Sequence, residues 1–545
     1  MKRRQLLGAF ALPLLGCTQP EPELGGGFTG VKHERGHLLR PSASSGQADQ
    51  PPFALSRSKG AFVTHRVHTL IAGGGVAGLA AARALRLRGV DDFALLELED
   101  SAGGNSRAGE VGGITCPLGA HYLPLPGDDA PEVQNLLEEL GLRRRVAGRW
   151  TYDERHLCHS PQERLFFKGA WQDGLLPMQG VDEATLAQYR KFSELVALAR
   201  RQVSFTLPVT PVAPAASHLA LDAITLEAWL KQQGLIDAQL LWYLDYCCRD
   251  DYGAGLACVS AWAGIHYFAS RHGFYVPGEG AAEKDAVLTW PQGNGWLSQR
   301  LAAPLMERLY TGHVVLRIEQ LKHGVEVDAF NTATQEVERW QAQRCIVALP
   351  VFVAARVLLN PPDFVRQTAA TTRYAPWLVA NLHLKDALLD RPGAAPSWDN
   401  VIYNEQPGTS LGYVDAMHQS LRPVPGPTVL SCYHALGELN DGRQQLLQRP
   451  WTHWRDLILA ELLQPHPELR SRATRMEITR YGHAMAVPVP NTLRRLSGLP
   501  WSAGRQRSST AQRHALRAER LSFAHSDWSG YSVFEEAFTR GHAAA

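Results

Sequence analysis

The feature that most constrains this chain is the run 67–104, VHTLIAGGGVAGLAAARALRLRGVDDFALLELEDSAGG. Residues 67–72 form an apolar stretch suited to a buried parallel strand. Gly73, Gly75 and Gly78 follow in the spacing G-x-G-x-x-G. The first glycine permits a tight turn, the second admits a pyrophosphate to the backbone, and the third lets helix and strand pack closely. Ala80, Ala81, Ala82, Ala84 and Leu85 continue as a helix. Its free N–H groups and positive dipole end suit phosphates. Gly89 ends that helix, residues 93–96 make a second apolar strand, and Glu97 closes it. There an acid accepts hydrogen bonds from a ribose diol. In a chain with 48 glycines the triplet alone is weak evidence. The strand–turn–helix–strand context, with the acid at its end, makes it a dinucleotide site. The acid selects an unphosphorylated ribose, so FAD or NAD.

At 545 residues the chain has room for two or more domains. A formal net charge of +2 gives no electrostatic case for nucleic acid. The 8 cysteines form no C-x-x-C pair and match no zinc spacing, so no metal site is expected. Cys247 and Cys248 are adjacent and read as buried thiols on a helix, with a disulfide left open if the protein is exported.

The N-terminus is informative. Lys2, Arg3 and Arg4 precede a short apolar region at 6–16 that cannot span a bilayer as a mature helix. Arg3-Arg4 followed by Gln5-Leu6-Leu7 resembles a twin-arginine export signal. Leu14-Leu15-Gly16-Cys17 resembles a bacterial lipobox, which would make Cys17 the lipidated first residue of an anchored, periplasmic-side protein. The alternative is a simple signal peptide with a chance cysteine. Twin-arginine export carries folded proteins, which suits a chain that acquires its cofactor in the cytoplasm. Residues 18–62, rich in Gly, Pro, Ser and charge, read as a disordered tether.

Beyond the tether the pattern alternates. Residues 63–127 form the first part of a dinucleotide-binding domain. Residues 128–280 read as a helical insertion, with three- and four-residue apolar spacing at 131–142 and 182–203 and further helices near 224–233, 237–247 and 259–270. Thr225 is a candidate N-cap. Residues 281–350 return to β-rich runs, and 351–477 carry alternating segments such as LVANLHL and TVLSCY, suited to an antiparallel sheet. Residues 478–545 close the dinucleotide domain. The fold class is therefore α/β: a Rossmann-type domain with two insertions that form an α+β substrate domain.

Several separated pieces match one family. The opening motif with Glu97 and then Asp100-Ser101-Ala102-Gly103-Gly104 resembles flavin-containing amine oxidases of the monoamine and polyamine oxidase type. So do Gly119-Ala120-His121-Tyr122, the GNGWLSQRL segment with the strand that begins His313-Val314, and CIVALP. Most specific is the closing run Phe523-Ala524-His525-Ser526-Asp527-Trp528-Ser529-Gly530-Tyr531. The resemblance covers 67 to the end, strongest at both ends. It implies FAD, bound by Gly73, Gly75, Gly78, Glu97, Gly104, Val314, Asp527 and Tyr531. A helix after Tyr531 would aim N–H groups at the flavin. No cysteine lies near residues 481–485, where some members attach FAD covalently, so FAD is expected to be non-covalent. The family's active-site lysine falls near Val379, where this chain has none; Lys385 is six residues on. One aromatic wall of the usual amine cage is Tyr531; the other falls near His483 or Ala484.

Tyr531 and His483 are accordingly the candidate catalytic residues, Tyr531 as cage wall or core aromatic, His483 as active-site group or core histidine. His121 and Tyr122 are expected near the flavin. His266 and Tyr267 line the pocket or pack the core; Asp399 and Asp415 bind a substrate cation or stay solvated. The expected reaction is hydride transfer from a small molecule, an amine on the resemblance, with O₂ or another acceptor taking the electrons. A phytoene-desaturase-like or protoporphyrinogen-oxidase-like flavoenzyme, and a non-catalytic exported flavin-binding lipoprotein, are the alternatives.

Overall fold

The computed structural model describes residues 24–40, 63–158, 162–209, 213–271, 273–278, 286–404, 408–418, 420, 422, 424–503 and 514–545. The export signal with Cys17 lies outside these residues.

One sheet carries the dinucleotide fold. Strand Thr64–Ala72 lies between Phe93–Leu96 and Glu336–Val347, parallel to both. Leu521–Phe523 pairs in parallel with the far side of Glu336–Val347. The opening and closing pieces of the chain thus share one sheet, as expected from the two motifs. Helix Val76–Leu87 is buried along its alanines. Helix Phe534–Ala544 crosses it at close range: a Cβ on Gly541 would lie 2.0 Å from the Ala77 carbonyl oxygen.

A second, eight-stranded sheet runs in the order Gly25–Thr29, Ala473–Val487, Arg373–Leu384, Thr428–Ala435, Ser410–Asp415, Asp399–Ile402, Glu163–Phe167, Ala170–Asp173. Its side chains alternate with the pleat. In Arg373–Leu384, Trp377 and Val379 pack towards the helical lobe, while Leu378, Ala380 and Leu382 pack under helix Trp451–Leu462. The lobe itself is built of helices Glu183–Gln202, Leu226–Gln232, Ala238–Tyr252 and Ala261–Ala269. Thr225 caps the second of these, accepting from the Ala228 N–H at 3.2 Å. Cys247 and Cys248 are free, buried thiols on the third.

Two expectations need correction. Residues 24–40 are not tether: Gly25–Thr29 pairs in parallel with Ala473–Val487, and helix His33–His37 follows. A Gly-rich run has little apolar surface, so composition reads as disorder. Here the edge strand of a sheet supplies main-chain partners, and Gly26 lies so near Met476 that a Cβ would sit 1.8 Å from its carbonyl oxygen. Nor is the block 128–280 purely a helical insertion. Its strands Glu163–Phe167 and Ala170–Asp173 extend the second sheet, the first pairing in parallel with Asp399–Ile402. The partner strand is far along the chain, so no local pattern announces the pairing.

Candidate active site

A cavity of about 440 Å³ is lined by residues of both sheets. That is within the roughly 300–1,000 Å³ range of small-molecule clefts.

One end is built by the glycine turn. Gly73 has φ of 104°, and a Cβ there would lie 2.4 Å from the Ala348 carbonyl oxygen. Gly78 faces away from the cavity: its Cβ would lie 1.9 Å from the Gly73 carbonyl oxygen, so it seats the helix on the turn. Gly75 differs from both. It caps the helix at φ −68°, ψ −178°, an ordinary extended conformation. A Cβ there would meet no neighbour nearer than the Gly104 Cα at 3.9 Å. Gly75 therefore keeps clear the cavity, not another part of the protein. Glu97, at the end of its strand, accepts the Gly74 N–H at 2.7 Å and the Glu99 N–H at 2.8 Å. Burial raises its pKa in spite of those bonds.

Gly104, Val314 and Asp527 line the same cavity. Asp527 Oδ2 accepts from the Tyr374 hydroxyl at 2.5 Å and the Val351 N–H at 2.9 Å, and His525 lies against Oδ1 at 3.1 Å. Burial alone would raise the Asp527 carboxyl; His525 and these donors outweigh it and hold the pKa below the usual value. Six of the eight sequence-derived cofactor residues thus converge: Gly73, Gly75, Glu97, Gly104, Val314 and Asp527. Gly78 supports them from behind.

Tyr531 is placed elsewhere. It is fully buried, edge-on to Tyr252 and His266 with ring centroids 5.5 Å away in each case, and does not line the cavity. This corrects the expectation of a cage wall or flavin contact. The chain turns into helix Phe534–Ala544 later than an ungapped reading assumes, so Ser532, Val533, Phe534 and Glu535 reach the cavity instead. His266 shares that core, its Nε2 2.8 Å from the Thr206 carbonyl oxygen. His483 lines the cavity with its ring stacked on Phe352 at 4.3 Å and Nε2 2.6 Å from Arg443. Partial burial, then the Arg443 and Arg40 charges, push its pKa down to about 4. The imidazole is neutral at pH 7 and accepts from Arg443.

The far end of the cavity is aromatic. His121, Tyr122, Trp377, Tyr433 and Tyr481 line it. His121 stacks on Tyr433 at 4.3 Å, with Trp398 behind at 5.3 Å. Burial pushes the His121 pKa down to about 3, so this ring is also neutral. Tyr433 and Tyr481 donate to the Gly119 and Leu118 carbonyls at 3.2 and 2.9 Å, which fixes both rings.

Among these rings sits Asp250. Its neighbour Asp251 is paired with Arg271 at 3.1 Å, but Asp250 has only the Tyr122 hydroxyl, at 3.5 Å, and no ion pair among the described residues. Burial first, then the Asp251 charge, raises the Asp250 carboxyl to about 7. Burial likewise raises Glu535, at the start of the last helix, to about 7. Asp399 and Asp415 are half-buried strand residues that do not line the cavity. Val379 is fully buried behind Trp377. Among the described residues no lysine and no cysteine lines the cavity, and no cluster of side chains could hold a metal ion.

Sequence reasoning missed Asp250, Trp377, Tyr433 and Tyr481 as site residues. For the three rings the only local signal is strand phase: Trp377 lies opposite Ala435 and Tyr481, two places from the Val379–Tyr433 pair; Asp250, on helix Ala238–Tyr252, has none. The residues present fit FAD. An open backbone at Gly75, a buried acid at Glu97 and a continuous path to the aromatic end suit a dinucleotide whose redox ring meets a small substrate.

Comparison with known proteins agrees. The family model for flavin-containing amine oxidoreductases matches residues 76–545. A protein of Mycobacterium tuberculosis described as a flavin-containing monoamine oxidase, AofH, is 26% identical over 375 residues, covering 66% of this chain and 76% of that one. Among solved structures, putrescine oxidase bound to putrescine superimposes with a TM-score of 0.61 at 16% identity, covering 88% of this chain and 98% of that one. Cyclohexylamine oxidase from Brevibacterium oxydans does so with 0.60 at 17%, covering 88% and 97%.

Proposed function

The chain belongs to the flavin-containing amine oxidoreductase family, as an FAD-dependent oxidoreductase, and from that premise we propose that it oxidises a small amine in the aromatic end of the cavity. The observation that carries this is Asp250, an unpaired carboxylate among aromatic rings at the far end of the dinucleotide cavity. Ring faces attract a cation by roughly 0.5–2 kcal/mol each when desolvated. A carboxylate beside them completes the recognition of an ammonium group. Asp250 would neutralise that group as it leaves water. The rings of Tyr433 and Tyr481, fixed through their hydroxyls, would set its orientation. When bound, FAD supplies the acceptor for hydride from the C–H beside nitrogen, and O₂ the final sink for the electrons. His121 and His483, both neutral at pH 7, shape the walls without adding positive charge that would repel an amine.

The decisive experiment is anaerobic mixing of the yellow holoprotein with mono-, di- and polyamines. Bleaching of the flavin by at least one amine is the expected result. Photoreduction without bleaching by any amine would refute the reading.

The same proposal includes export by the twin-arginine route and lipid anchoring at Cys17, supported by Arg3-Arg4 and by Leu14-Leu15-Gly16-Cys17. Replacing Arg3 and Arg4 by lysines should leave the protein in the cytoplasm. Cys17→Ala should release it from membranes. A membrane-bound Cys17→Ala protein would exclude the anchor.

A further inference from the structure

We propose that residues 24–40 form a clasp over the ribose end of the cofactor cavity, with Leu39 a cofactor-retaining residue outside the dinucleotide fold. The inference rests on FAD occupying that cavity.

The segment is anchored on both sides of the cleft. Its strand Gly25–Thr29 lies on the edge of the second sheet, and Gly30 then turns against Thr479, whose Oγ1 would be 2.8 Å from a Cβ at that position. The segment next crosses to the dinucleotide domain. The Lys32 N–H is shared between the two Glu99 carboxylate oxygens at 3.1 and 3.3 Å. Arg35 donates to the Leu98 carbonyl at 2.8 Å and pairs with Asp100 at 2.7 Å. These anchors are the three residues directly after Glu97, the acid placed for the ribose. Finally the Leu39 carbonyl accepts from Arg356 at 3.3 Å, on the helix Val351–Val357 that forms the other wall.

Leu39 is the reason to assign a cofactor role and not only a docking role. It is 7% exposed and lines the cavity together with Leu98 and Val353. The two residues beside it come from opposite walls, so Leu39 bridges the gap through which the ribose end would otherwise meet solvent. Arg40, the next residue, is already exposed. An apolar side chain placed there excludes water from the Glu97 hydrogen bonds. It also obstructs the exit of whatever those bonds hold.

The test uses the full chain. FAD release after dilution, followed by flavin fluorescence, should be about tenfold faster for Leu39→Ala, equivalent to ~1.4 kcal/mol. The apoprotein should melt somewhat earlier, since Leu39 is buried without ligand, and the gain in melting temperature on adding FAD should shrink as well. An unchanged release rate overturns the proposal, whether or not the variant melts earlier. Should Leu39→Ala fail to fold, limited trypsin digestion of the unaltered chain decides. FAD should slow cleavage after Lys32 and Arg35 strongly, and equal rates with and without FAD overturn the clasp. A wild-type protein that binds no FAD at all would refute the cofactor assignment instead, which separates the two failures.

Discussion

Gly75→Ala and Gly78→Ala separate cofactor contact from folding within one motif. At Gly78 an added Cβ would stand 1.9 Å from the Gly73 carbonyl oxygen and 3.0 Å from its carbon. Both are backbone atoms of a turn already held at φ 104°, so relief requires moving helix Val76–Leu87 off its strand. Overpacking of this kind costs about 1–3 kcal/mol. The Gly78 variant should melt earlier as apoprotein, before any cofactor is considered. At Gly75 the backbone angles suit any residue, and the nearest atom is 3.9 Å away. The apoprotein should lose about 0.5–1 kcal/mol, the difference between Gly and Ala at an N-cap. The methyl group instead occupies space that a pyrophosphate needs for close approach to the N–H groups of the helix. The expected loss in FAD affinity is 10- to 100-fold, or about 1.4–2.8 kcal/mol. Titration of apoprotein with FAD by fluorescence quenching measures the affinity, and melting of apo and holo forms measures the fold. Wild-type FAD affinity in Gly75→Ala would refute the placement of the pyrophosphate. So would an apoprotein destabilised as much as Gly78→Ala, because then Gly75 would be a packing residue after all.

Asp250→Asn should raise the KM for an amine at least about tenfold, the size of a lost charge-assisted contact, with a smaller effect on kcat. Steady-state kinetics that show kcat falling alone would contradict an ammonium-binding role. The pH dependence has a definite sign. Because burial raises the Asp250 carboxyl to about 7 from the usual 3.8, its cost to folding is absent below the unfolded value, grows as pH rises between the two, and is complete above about 7. Asp250→Asn should therefore raise the melting temperature at pH 8 and change it little at pH 4. The KM of the unaltered enzyme should fall as pH rises through 7, and the variant should flatten that fall except for the part due to Glu535. His483→Phe keeps the stack on Phe352 and removes only the Arg443 contact. Flavin reduction should stay within about threefold across pH 6–9, since a group with a pKa of about 4 has no proton to give there; a new pH dependence would make His483 a proton carrier. Tyr531→Phe should leave kcat unchanged, whereas Tyr531→Ala should destabilise the fold by about 3–5 kcal/mol, as for other buried aromatics. A selective loss of activity in the phenylalanine variant would return Tyr531 to the active site.

The cofactor half of the site was legible because its chemistry is local. A turn, a helix N-terminus and a strand-end acid lie within one βαβ unit. The spacing of Gly73, Gly75 and Gly78 and the position of Glu97 therefore carry their own geometry. Asp527 was legible for a related reason: the strand just before it, Leu521–Phe523, pairs with Glu336–Val347 next to the opening strand, so two recognisable ends fix each other. Tyr531 shows the limit. Its place in the sequence motif was clear, but a few residues more before helix Phe534–Ala544 rotate it into the core. Motif identity does not determine which side of a turn a ring will face.

The substrate half was not legible, because it is made by pairing across long sequence intervals. Trp377, Tyr433 and Tyr481 belong to three strands whose registers are set by main-chain bonds. Before those registers are known each ring is one aromatic among many in a β-rich run. Asp250 is harder still. It sits in a run of alternating acids, aromatics and cysteines on helix Ala238–Tyr252, and nothing local distinguishes it from Asp245 or Asp251. Only the fold does so, by giving Asp245 to Arg249 and Asp251 to Arg271 while leaving Asp250 facing the rings. The absence of a lysine near Val379 thus has a structural counterpart. This chain places an unpaired cavity carboxylate among the aromatic rings, and recognition of charge at that end falls to Asp250.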